Sequence, residues 1–227
     1  MSLRGLFVTG TDTGAGKTVV AAAIAAALHL RGERVTVWKP VVTGVDEPGP
    51  DGWPADHELL ARAVDRDASA VTTATFGPAV SPHLAAELAG TMLDLRVLAD
   101  AARAAAAGAD VLVAEGVGGL LVPFGAFSVR DLAVALGLPL VVAARPGLGT
   151  INHSLLTIEA ARAAGLAVRA VVLTPWPAQP SVMEHSNRAT IERLGDVEVA
   201  TLASTSPAYD DLARAGAALP FDAWIGP

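Results

Sequence analysis

A glycine-rich segment near the start of the chain has the residue types of a phosphate-binding loop. In sequence order it is Gly10-Thr11-Asp12-Thr13-Gly14-Ala15-Gly16-Lys17-Thr18. A strand is predicted before it and a helix after it, and in that context backbone N–H groups and a helix N-terminus cradle phosphates. Lys17 can then reach the β- and γ-phosphates of a nucleotide, and the Thr18 hydroxyl is placed to bind Mg²⁺. The segment therefore predicts ATP and Mg²⁺ as ligands.

The spacing of the glycines departs from the general phosphate-loop motif. That motif has four residues between its first glycine and the Gly-Lys pair, whereas five residues separate Gly10 from Gly16. The alternative interpretation is an incidental glycine-rich turn between a strand and a helix. The Gly-Lys-Thr ending and the strand–loop–helix context favour the phosphate loop.

An acidic residue follows another strand that is predicted to be buried. Glu115 comes directly after the apolar run Val111–Ala114, and the glycine-rich turn 116–119, with Gly118 in it, comes next. Ligands of open α/β sheets lie at the carboxyl ends of strands, where an acidic side chain can bind Mg²⁺ directly or through water. The alternative is a solvated acid before a flexible turn. The nearby phosphate loop favours the metal site.

Two further charged residues have positions that leave two interpretations open. Lys39 ends a predicted strand, with Thr43 just after it, and could neutralise charge that develops in phosphoryl transfer. Surface exposure is the commoner fate of a lysine. Asp56 begins a predicted helix, where it is either a third Mg²⁺-associated group or an acid that the helix dipole favours. Position alone favours the second interpretation of Asp56.

A small polar cluster opens a later helix. Thr150, Ile151 and Asn152 follow a predicted strand and begin that helix, and a helix N-terminus with small and amide residues suits a substrate carboxylate. The alternative is a plain N-cap. His153 and His83 have no carboxylate or second histidine at ligand spacing, so both are predicted to be structural.

The elements that must position these residues alternate between short apolar runs and Ala-rich helical runs. Strands are predicted at Leu6–Thr9, Val35–Trp38, Val111–Ala114, Leu140–Ala143 and Val168–Leu173. Helices are predicted at Lys17–Leu30 (ended by Gly32), Asp56–Val64, Ser81-Pro82 to about Leu88, Leu95–Ala107, Val129–Leu136, Thr150–Ala164 and Ser181–Leu194. The strands are apolar on both faces, which predicts a doubly wound α/β fold, with a mainly parallel sheet and helices on both faces.

The chain gives no sign of a second domain. Residues 1–227 contain no internal repeat, low-complexity segment or linker, so one domain is predicted. Residues 42–54 are rich in Gly, Pro and Asp and are interpreted as a loop. No element is predicted in residues 197–227, because Pro207, Pro220 and Pro227 interrupt any regular pattern.

Composition excludes several classes of function. The net charge of −7 argues against non-specific binding to nucleic acid or to an anionic membrane. The absence of cysteine excludes disulfides, thiolate catalysis and Cys-ligated metals. The apolar run 6–8 is too short for a signal-peptide core, and the longest apolar stretch, Val19–Leu30, has 12 residues, too few to cross a bilayer. These features favour a cytoplasmic protein.

Five motifs in order resemble those of the dethiobiotin synthetase family, over residues 6 to about 172. They are Val8-Thr9-Gly10-Thr11-Asp12-Thr13 with Gly16-Lys17-Thr18, Lys39-Pro40-Val41 with Thr43-Gly44, Ser81-Pro82-His83, Glu115-Gly116-Val117-Gly118-Gly119, and Leu148-Gly149-Thr150-Ile151-Asn152-His153. The five-residue gap in the loop is a feature of this family. The resemblance implies the P-loop NTPase fold.

The resemblance also implies a reaction. The substrates would be 7,8-diaminopelargonate, CO₂ (or bicarbonate) and ATP, and the products dethiobiotin, ADP and phosphate. An amine of the substrate would take up CO₂ as a carbamate, the carbamate would attack the γ-phosphate, and the second amine would close the ureido ring. This is the chemistry of an ATP-dependent ligase, and it requires no protein nucleophile.

Roles for individual residues come from the same resemblance. Thr18, Asp56 and Glu115 would associate with Mg²⁺, and Lys17 and Lys39 would contact the transferring phosphoryl group and the carbamate. The loop from Thr11 to Thr18, with Glu115, would bind the nucleotide. The residues around the substrate would be Thr13 and Thr43 beside the carbamate, Gly118, and the helix start Thr150–Asn152, which would reach the substrate carboxylate across a homodimer interface.

Two departures concern the nucleotide base. Many family members have an Asn-Asp pair after the fifth strand that reads adenine, and here residues 174–177 are Thr-Pro-Trp-Pro. The usual Pro-Trp-Leu-like segment near the C-terminus is replaced by Ala200–Pro207. The expectation is that the base is read loosely and that nucleotides other than ATP can serve.

Two other classes share parts of the pattern. A partner-regulated ATPase of the partition or septum-placement kind usually has a lysine five positions before the loop lysine, and here that position is Asp12. Such proteins often have a basic or amphipathic membrane-binding tail, and Leu219–Pro227 is neither. An amidotransferase domain of cobalamin synthesis normally includes a glutaminase domain with a catalytic cysteine, which this chain lacks.

Overall fold

A computed structural model describes residues 3–47 and 52–226 of the chain. Within these residues, seven strands form one sheet: β1 (Gly5–Gly10), β2 (Val35–Thr43), β3 (Thr72–Phe76), β4 (Val111–Gly119), β5 (Leu140–Ala144), β6 (Val168–Trp176) and β7 (Glu198–Ala203). Every neighbouring pair is parallel, and the strand order is β3-β2-β4-β1-β5-β6-β7. The doubly wound α/β prediction is confirmed.

The α-helices of the described residues cover both faces of the sheet. They are α1 (Lys17–Leu30), α2 (Asp56–Arg62), α3 (Pro82–Leu88), α4 (Leu95–Ala105), α5 (Val129–Leu136), α6 (Thr150–Ala163), α7 (Val182–Gly195) and α8 (Tyr209–Ala217). Leu6 and Val8 of β1 pack with α1, α2 and α8 on one face. Phe7 of β1 and Val142 of β5 belong to the opposite face, which α3 to α7 cover. Burial on both faces explains why the strands are apolar without alternation.

Three elements were missing from the sequence prediction. The edge strand β3 alternates between half-buried and exposed residues and only its last residue, Phe76, is buried, unlike the central strands. The other edge strand, β7, and the helix α8 lie in the segment that Pro207 and Pro220 seemed to interrupt. Both prolines fall between elements: Pro207 precedes α8 and Pro220 follows it. The prolines therefore separate regular elements and do not prevent them.

Strand β2 is longer than predicted. The sequence suggested a strand ending near Lys39 and a loop from residue 42, but β2 continues through Pro40 to Thr43. The Lys39 N–H donates to Val71 O on the β3 side, so Pro40 turns its nitrogen toward β4. Pairing between β2 and β4 has already ended at Trp38, and a missing N–H therefore costs no ladder bond there. Residues 48–51 of the predicted loop lie outside the described part of the chain.

No helix in the described residues combines the length and the apolar character that a membrane crossing would need. The longest apolar helix, α1, is instead buried inside the protein along most of its length.

Candidate active site

The turn between β1 and α1 has a conformation that depends on glycine. Gly16, just before the helix, has a left-handed backbone with φ of 87°. A Cβ atom placed there would lie 2.5 Å from Cγ2 of Thr174, at the end of β6. A side chain at position 16 would therefore be strained by the backbone and would also collide with β6.

The turn presents a row of unused backbone donors. The N–H groups of residues 14 to 18 donate no hydrogen bond to any group in the part of the chain that the structure describes. The N–H of Thr13 is occupied by Asp12 Oδ1 at 2.7 Å. Free N–H groups around the start of a long helix are the donors that bind phosphate in nucleotide-binding loops. The turn has the form of an anion cradle.

Lys17 lies across this cradle. Its Nζ donates to the carbonyl oxygen of Asp12 at 2.9 Å, and the side chain is buried. Burial and the neighbouring charge of Lys39 lower the pKa of Lys17 to about 8, against the attraction of Glu115 and Asp56. A negative charge bound in the turn would raise the pKa of Lys17 again, because it would favour the protonated amine.

A cluster of charged groups, with a buried lysine, a buried glutamate and an exposed aspartate, lies beside the cradle. Lys39 is 2% exposed and Glu115 is fully buried, and Lys39 Nζ lies 2.5 Å from Glu115 Oε1 and 2.7 Å from Asp56 Oδ2. Burial lowers the pKa of Lys39, but the two carboxylates outweigh it and the net direction is upward. The charge of Lys39 lowers the pKa of Asp56. Burial raises the pKa of Glu115, and Lys39 opposes that shift.

Thr18 connects the phosphate loop to this cluster. Its Oγ1 lies 2.9 Å from Asp56 Oδ1 and 2.9 Å from Glu115 Oε1, so its single proton can serve one carboxylate at a time. The other oxygen, Glu115 Oε2, is buried and has no hydrogen-bond partner within the described residues. A hydroxyl and two carboxylates form the all-oxygen donor set that Mg²⁺ prefers.

The donor set is too small to hold a metal ion by itself. No group of three or more His, Cys, Asp or Glu side chains converges in the described ranges 3–47 and 52–226. Protein sites for Mg²⁺ that use one or two carboxylates are completed by waters and substrate phosphates. The orphaned oxygen of Glu115 and the adjoining N–H cradle fit that arrangement.

Sheet topology explains why residues so distant in sequence meet here. Glu115 follows Ala114 on β4 and lies opposite Val8 of β1. Lys39 lies one residue beyond the last β2–β4 pair, Trp38 with Ala114. Because β2, β4 and β1 are adjacent and parallel, their carboxyl ends meet at one edge of the sheet. Sequence periodicity could not show that Lys39 is buried in that edge.

The cradle and the ion cluster open into one cleft of about 760 Å³. Thr43 of β2 and Gly118 after β4 line it, together with Thr13 of the loop. Gly118 has a left-handed φ of 59°, and a Cβ atom there would lie 2.7 Å from Val122 Cγ2. The remaining wall is mostly apolar, with side chains from Val41, Trp53, Leu59, Val80, Val117 and Val122. The volume is typical of small-molecule sites.

The start of α6 lies on the opposite side of the phosphate loop. The Thr11 N–H donates to Ala143 O of β5, which ties the loop to that strand, and α6 follows β5. Thr150 is buried, Ile151 is half-buried and Asn152 is exposed, and none of the three lines the cleft. Within one chain, the structure does not bring these predicted substrate residues to the other site residues.

Most of the predicted site residues do converge. The cleft is lined by Thr13, Gly14, Gly16, Lys17, Thr18, Lys39, Thr43, Asp56 and Gly118, and Glu115 touches Lys39 and Thr18 at its base. Thr11, Asp12 and Ala15 belong to the same turn without lining the cleft. Asp56 has both of the roles that its position left open, since it begins α2 and also binds Lys39 and Thr18.

The cleft contains residues that were not predicted as site residues. Ser81 and Trp53 line it, although the sequence marked Ser81 only as a helix cap and within a family motif. Trp53 falls in the segment interpreted as a loop, and nothing in its sequence context marked it.

Comparisons with known proteins agree with this geometry. Residues 4–207 match a family model described as an AAA domain. A protein of Anaeromyxobacter dehalogenans strain 2CP-1, named ATP-dependent dethiobiotin synthetase BioD, is 44% identical over 215 residues, 93% of each chain. Proteins of the same name from Mycobacterium sp. strain KMS and Rhodococcus jostii strain RHA1 are each 42% identical, over 86% of this chain and 86% and 83% of theirs.

The chain belongs to the ATP-dependent dethiobiotin synthetase family. The resemblance in its five motifs is thereby confirmed across most of the chain. Among solved structures, chloroplast FtsY from Physcomitrella patens has a TM-score of 0.52 at 14% identity, covering 95% of this chain. This chain spans 65% of the length of that one, and the likeness concerns the fold.

Proposed function

We propose that this protein is an ATP-dependent dethiobiotin synthetase, a ligase of biotin biosynthesis that closes the cyclic urea of dethiobiotin. Its substrates are 7,8-diaminopelargonate, CO₂ and ATP. The observation that carries the proposal is the buried Lys39, held between Asp56 and Glu115 beside a cradle of free N–H groups. That arrangement serves two anions at once, a triphosphate in the cradle and a carbamate in the cleft. Relatives of the same name support the choice of reaction.

The reaction proceeds by positioning and charge neutralisation. A substrate amine binds CO₂ as a carbamate, a carbamate oxygen attacks the γ-phosphorus, and the bond to ADP breaks. The second amine then attacks the carbamate carbon, closes the ring and expels phosphate. Lys17 and Lys39 neutralise negative charge on the transferring phosphoryl group and the carbamate, and this stabilisation is strong in a buried site.

We assign Thr18, Asp56 and Glu115 to Mg²⁺. Thr18 Oγ1 lies within 2.9 Å of both carboxylates, and Glu115 Oε2 has no other partner in the described part of the chain. When bound by these residues, Mg²⁺ would neutralise negative charge on the phosphates of the nucleotide. Lys39 contacts the same two carboxylates, so it fixes their orientation from the side of the cleft.

We assign the substrate to the part of the cleft between the loop and β2. Thr13 and Thr43 hold the carbamate or its neighbours, and Gly118 lets the substrate approach the backbone. The apolar wall at Val41, Val117 and Val122 suits the aliphatic chain of the diamine. The loop residues Thr11 to Thr18, with Glu115, hold the nucleotide.

The base of the nucleotide is read loosely in this proposal. Thr174 of β6 packs against Gly16 of the phosphate loop, where a Cβ would lie 2.5 Å from Thr174 Cγ2. In the family motif, the asparagine of an adenine-reading pair follows this strand. A threonine lacks the paired amide donor and acceptor with which an asparagine can read a base edge. CTP, GTP and UTP are therefore expected to support turnover alongside ATP.

A homodimer completes the site. Thr150, Ile151 and Asn152 do not line the cleft of their own chain, so the start of α6 from a second copy would hold the substrate carboxylate. Two leucines near that helix start are exposed, Leu148 by 92% and Leu156 by 56%. Exposed apolar side chains that cluster near a functional group are typical of an interface. The assembly is proposed to work in the cytoplasm, without nucleic acid or membrane.

Product formation tests the reaction. The protein is incubated with 7,8-diaminopelargonate, labelled bicarbonate, Mg²⁺ and each nucleoside triphosphate in turn, and the cyclic urea is detected by its mass. The expected result is labelled dethiobiotin that requires all four components. Phosphate release without the diamine, and no cyclic urea with it, would favour a partner-regulated ATPase and refute the proposal.

The dimer has its own test. Leu148→Asp combined with Leu156→Asp is expected to give a monomer by light scattering, with nucleotide binding retained and cyclic urea formation lost. The matched control is Leu30→Asp, which changes an exposed leucine at the far end of α1. This variant should keep the oligomeric state and the cyclic urea formation of the wild type. A monomeric wild-type protein with full activity would contradict the shared site.

A further inference from the structure

Ser81 occupies a helix-capping position without performing the capping role. It is the N-cap residue of α3, yet its hydroxyl accepts no hydrogen bond from the helix backbone. Ser128 and Ser181 also begin helices, and each accepts the N–H of the third helical residue. That bond is the usual reason for a serine at this position. The hydroxyl of Ser81 is therefore directed elsewhere.

The hydroxyl of Ser81 is paired with a histidine ring. Its Oγ lies 3.0 Å from Nδ1 of His83, two residues further along the chain. Ser81 lines the same cleft as Thr43 and Lys39, whereas His83 is exposed to solvent. A hydroxyl in the cleft is thus connected through an imidazole to bulk water.

We propose that Ser81 and His83 form a proton relay that deprotonates the substrate amine as it takes up CO₂. The inference rests on the proposed function and adds a catalytic group to it. The amine nitrogen forms a bond to the carbon of CO₂, and one C=O electron pair moves onto oxygen to give the carboxylate. The N–H proton passes to Ser81 Oγ while the Ser81 proton passes to His83 Nδ1. The imidazolium then releases a proton from Nε2 to water.

This relay performs a step that the two lysines cannot perform. The charged cluster keeps Lys39 protonated, since Asp56 and Glu115 surround its ammonium group. Lys17 is needed as a cation beside the phosphates. A neutral imidazole with its proton on Nε2 accepts from a hydroxyl, and histidine is the side chain that most often takes up such a proton.

The order of mixing separates this role from a structural one. In one arm, the full-length enzyme is first equilibrated with diamine, bicarbonate and Mg²⁺, so that the carbamate is already formed when ATP is added. In the other arm, all components are mixed at once. Phosphate release in the first turnover is measured in both arms for wild type, His83→Gln, Ser81→Ala and Ser81→Thr.

The relay predicts a difference between the arms. His83→Gln and Ser81→Ala should slow first-turnover phosphate release in the simultaneous arm by about a hundredfold, the lower end of the range for general-base catalysis, and leave the equilibrated arm near wild type. Ser81→Thr keeps a hydroxyl and should restore most of the rate. Melting temperatures should stay unchanged, because Ser81 makes no capping bond. Ser181→Ala is the matched control: it removes a real cap, lowers the melting temperature and leaves both arms unchanged.

Two results would overturn the relay while the proposed function stands. Equal slowing in both arms would show that the pair only shapes the cleft, and unchanged rates in both arms would show that it does nothing in the reaction. A wild-type protein that makes no cyclic urea would overturn the proposed function itself, and the relay with it.

Discussion

The two sides of the phosphate loop differ in how they hold charge. On the β4 side, Lys39, Asp56 and Glu115 form a cluster whose lysine and glutamate are almost fully buried. On the β5 side, Arg145 lies 3.3 Å from Asp12, and each side chain is 57% exposed. Buried charges interact strongly because little water screens them, whereas exposed pairs contribute little. The charges on the β4 side are thus enclosed by the protein, whereas those on the β5 side are open to solvent; we call these the closed side and the open side of the loop.

Among the predicted variants, Lys17→Ala should cause the largest loss of activity, because Lys17 belongs to the closed side of the loop. It deletes a charge matched to the transition state, and cyclic urea formation should fall about 10²–10³-fold or more. The fold should remain intact, because burial lowers the pKa of Lys17 and its charge therefore does not stabilise the folded protein. Product mass and melting temperature are the measurements. Near-normal product formation would remove Lys17 from the site.

A second prediction compares the Mg²⁺ requirement of two variants: Glu115→Gln, which changes a buried carboxylate, and Asp12→Asn, which changes an exposed one. The first change removes the charge of the carboxylate that we assign to Mg²⁺, and the Mg²⁺ concentration for half-maximal activity should rise about tenfold or more, equivalent to ~1.4 kcal/mol. The second should change it less than about fivefold, since exposed ion pairs contribute ~0.2–1 kcal/mol. The measurement is a Mg²⁺ titration of activity for each variant. Equal increases in the half-maximal Mg²⁺ concentration would contradict a difference between the two sides of the loop.

Comparing the nucleotide affinity of Gly16→Ala with that of Gly14→Ala tests whether the turn requires glycine at position 16. Both glycines have left-handed backbones, with φ of 87° and 71°, but only a Cβ at position 16 meets another residue, Thr174. Gly16→Ala should weaken nucleotide binding about tenfold beyond Gly14→Ala, because it adds a collision to the shared backbone strain of ~1–2 kcal/mol. Calorimetric titration measures this. Adding Thr174→Ser should recover part of the loss, and no recovery would locate the damage elsewhere.

Nucleotide affinity should also depend on pH through Lys17. Its pKa of about 8 is depressed from 10.5, so above about pH 8 the ammonium group of the free protein loses its proton. Binding of a phosphate must then take up a proton, and the affinity should fall by up to tenfold per pH unit between about 8 and 10.5. Lys17→Arg stays charged and should show a flatter profile. Parallel profiles for both proteins would contradict the assignment.

Arg145→Ala should have the smallest effect. The exposed pair with Asp12 is solvated and screened, so the expected loss of turnover is less than about fivefold. Raising the salt concentration screens the ion pair and should lower the turnover of the wild type toward that of the variant. A loss comparable to that of Lys17→Ala would show that the open side takes part in phosphoryl transfer.

The sequence predicted the central part of the sheet and much of the site, and it missed the edges. The strands β1, β4, β5 and β6 each contain an apolar run without polar alternation, which is a strong signal of burial on both faces. The edge strand β3 is not, because one side of it faces solvent. Ser81 was visible as a helix cap, but only the coordinates show that its hydroxyl turns to His83.

What the sequence determined by itself is local: a glycine-rich turn between a strand and a helix, with Lys17 and Thr18 at the start of the helix. The family motifs extended this to the residues of a reaction. What only the tertiary structure decided is which charges meet and which of them are buried. Asp56 and Glu115 lie 17 and 76 positions after Lys39 in the sequence. The parallel pairing of β2 with β4 brings Glu115 to Lys39 in the buried edge of the sheet, and the start of α2 brings Asp56 to the same ammonium group from the exposed side. Spacing along the chain carries no information about burial or distance when the contact depends on strand order.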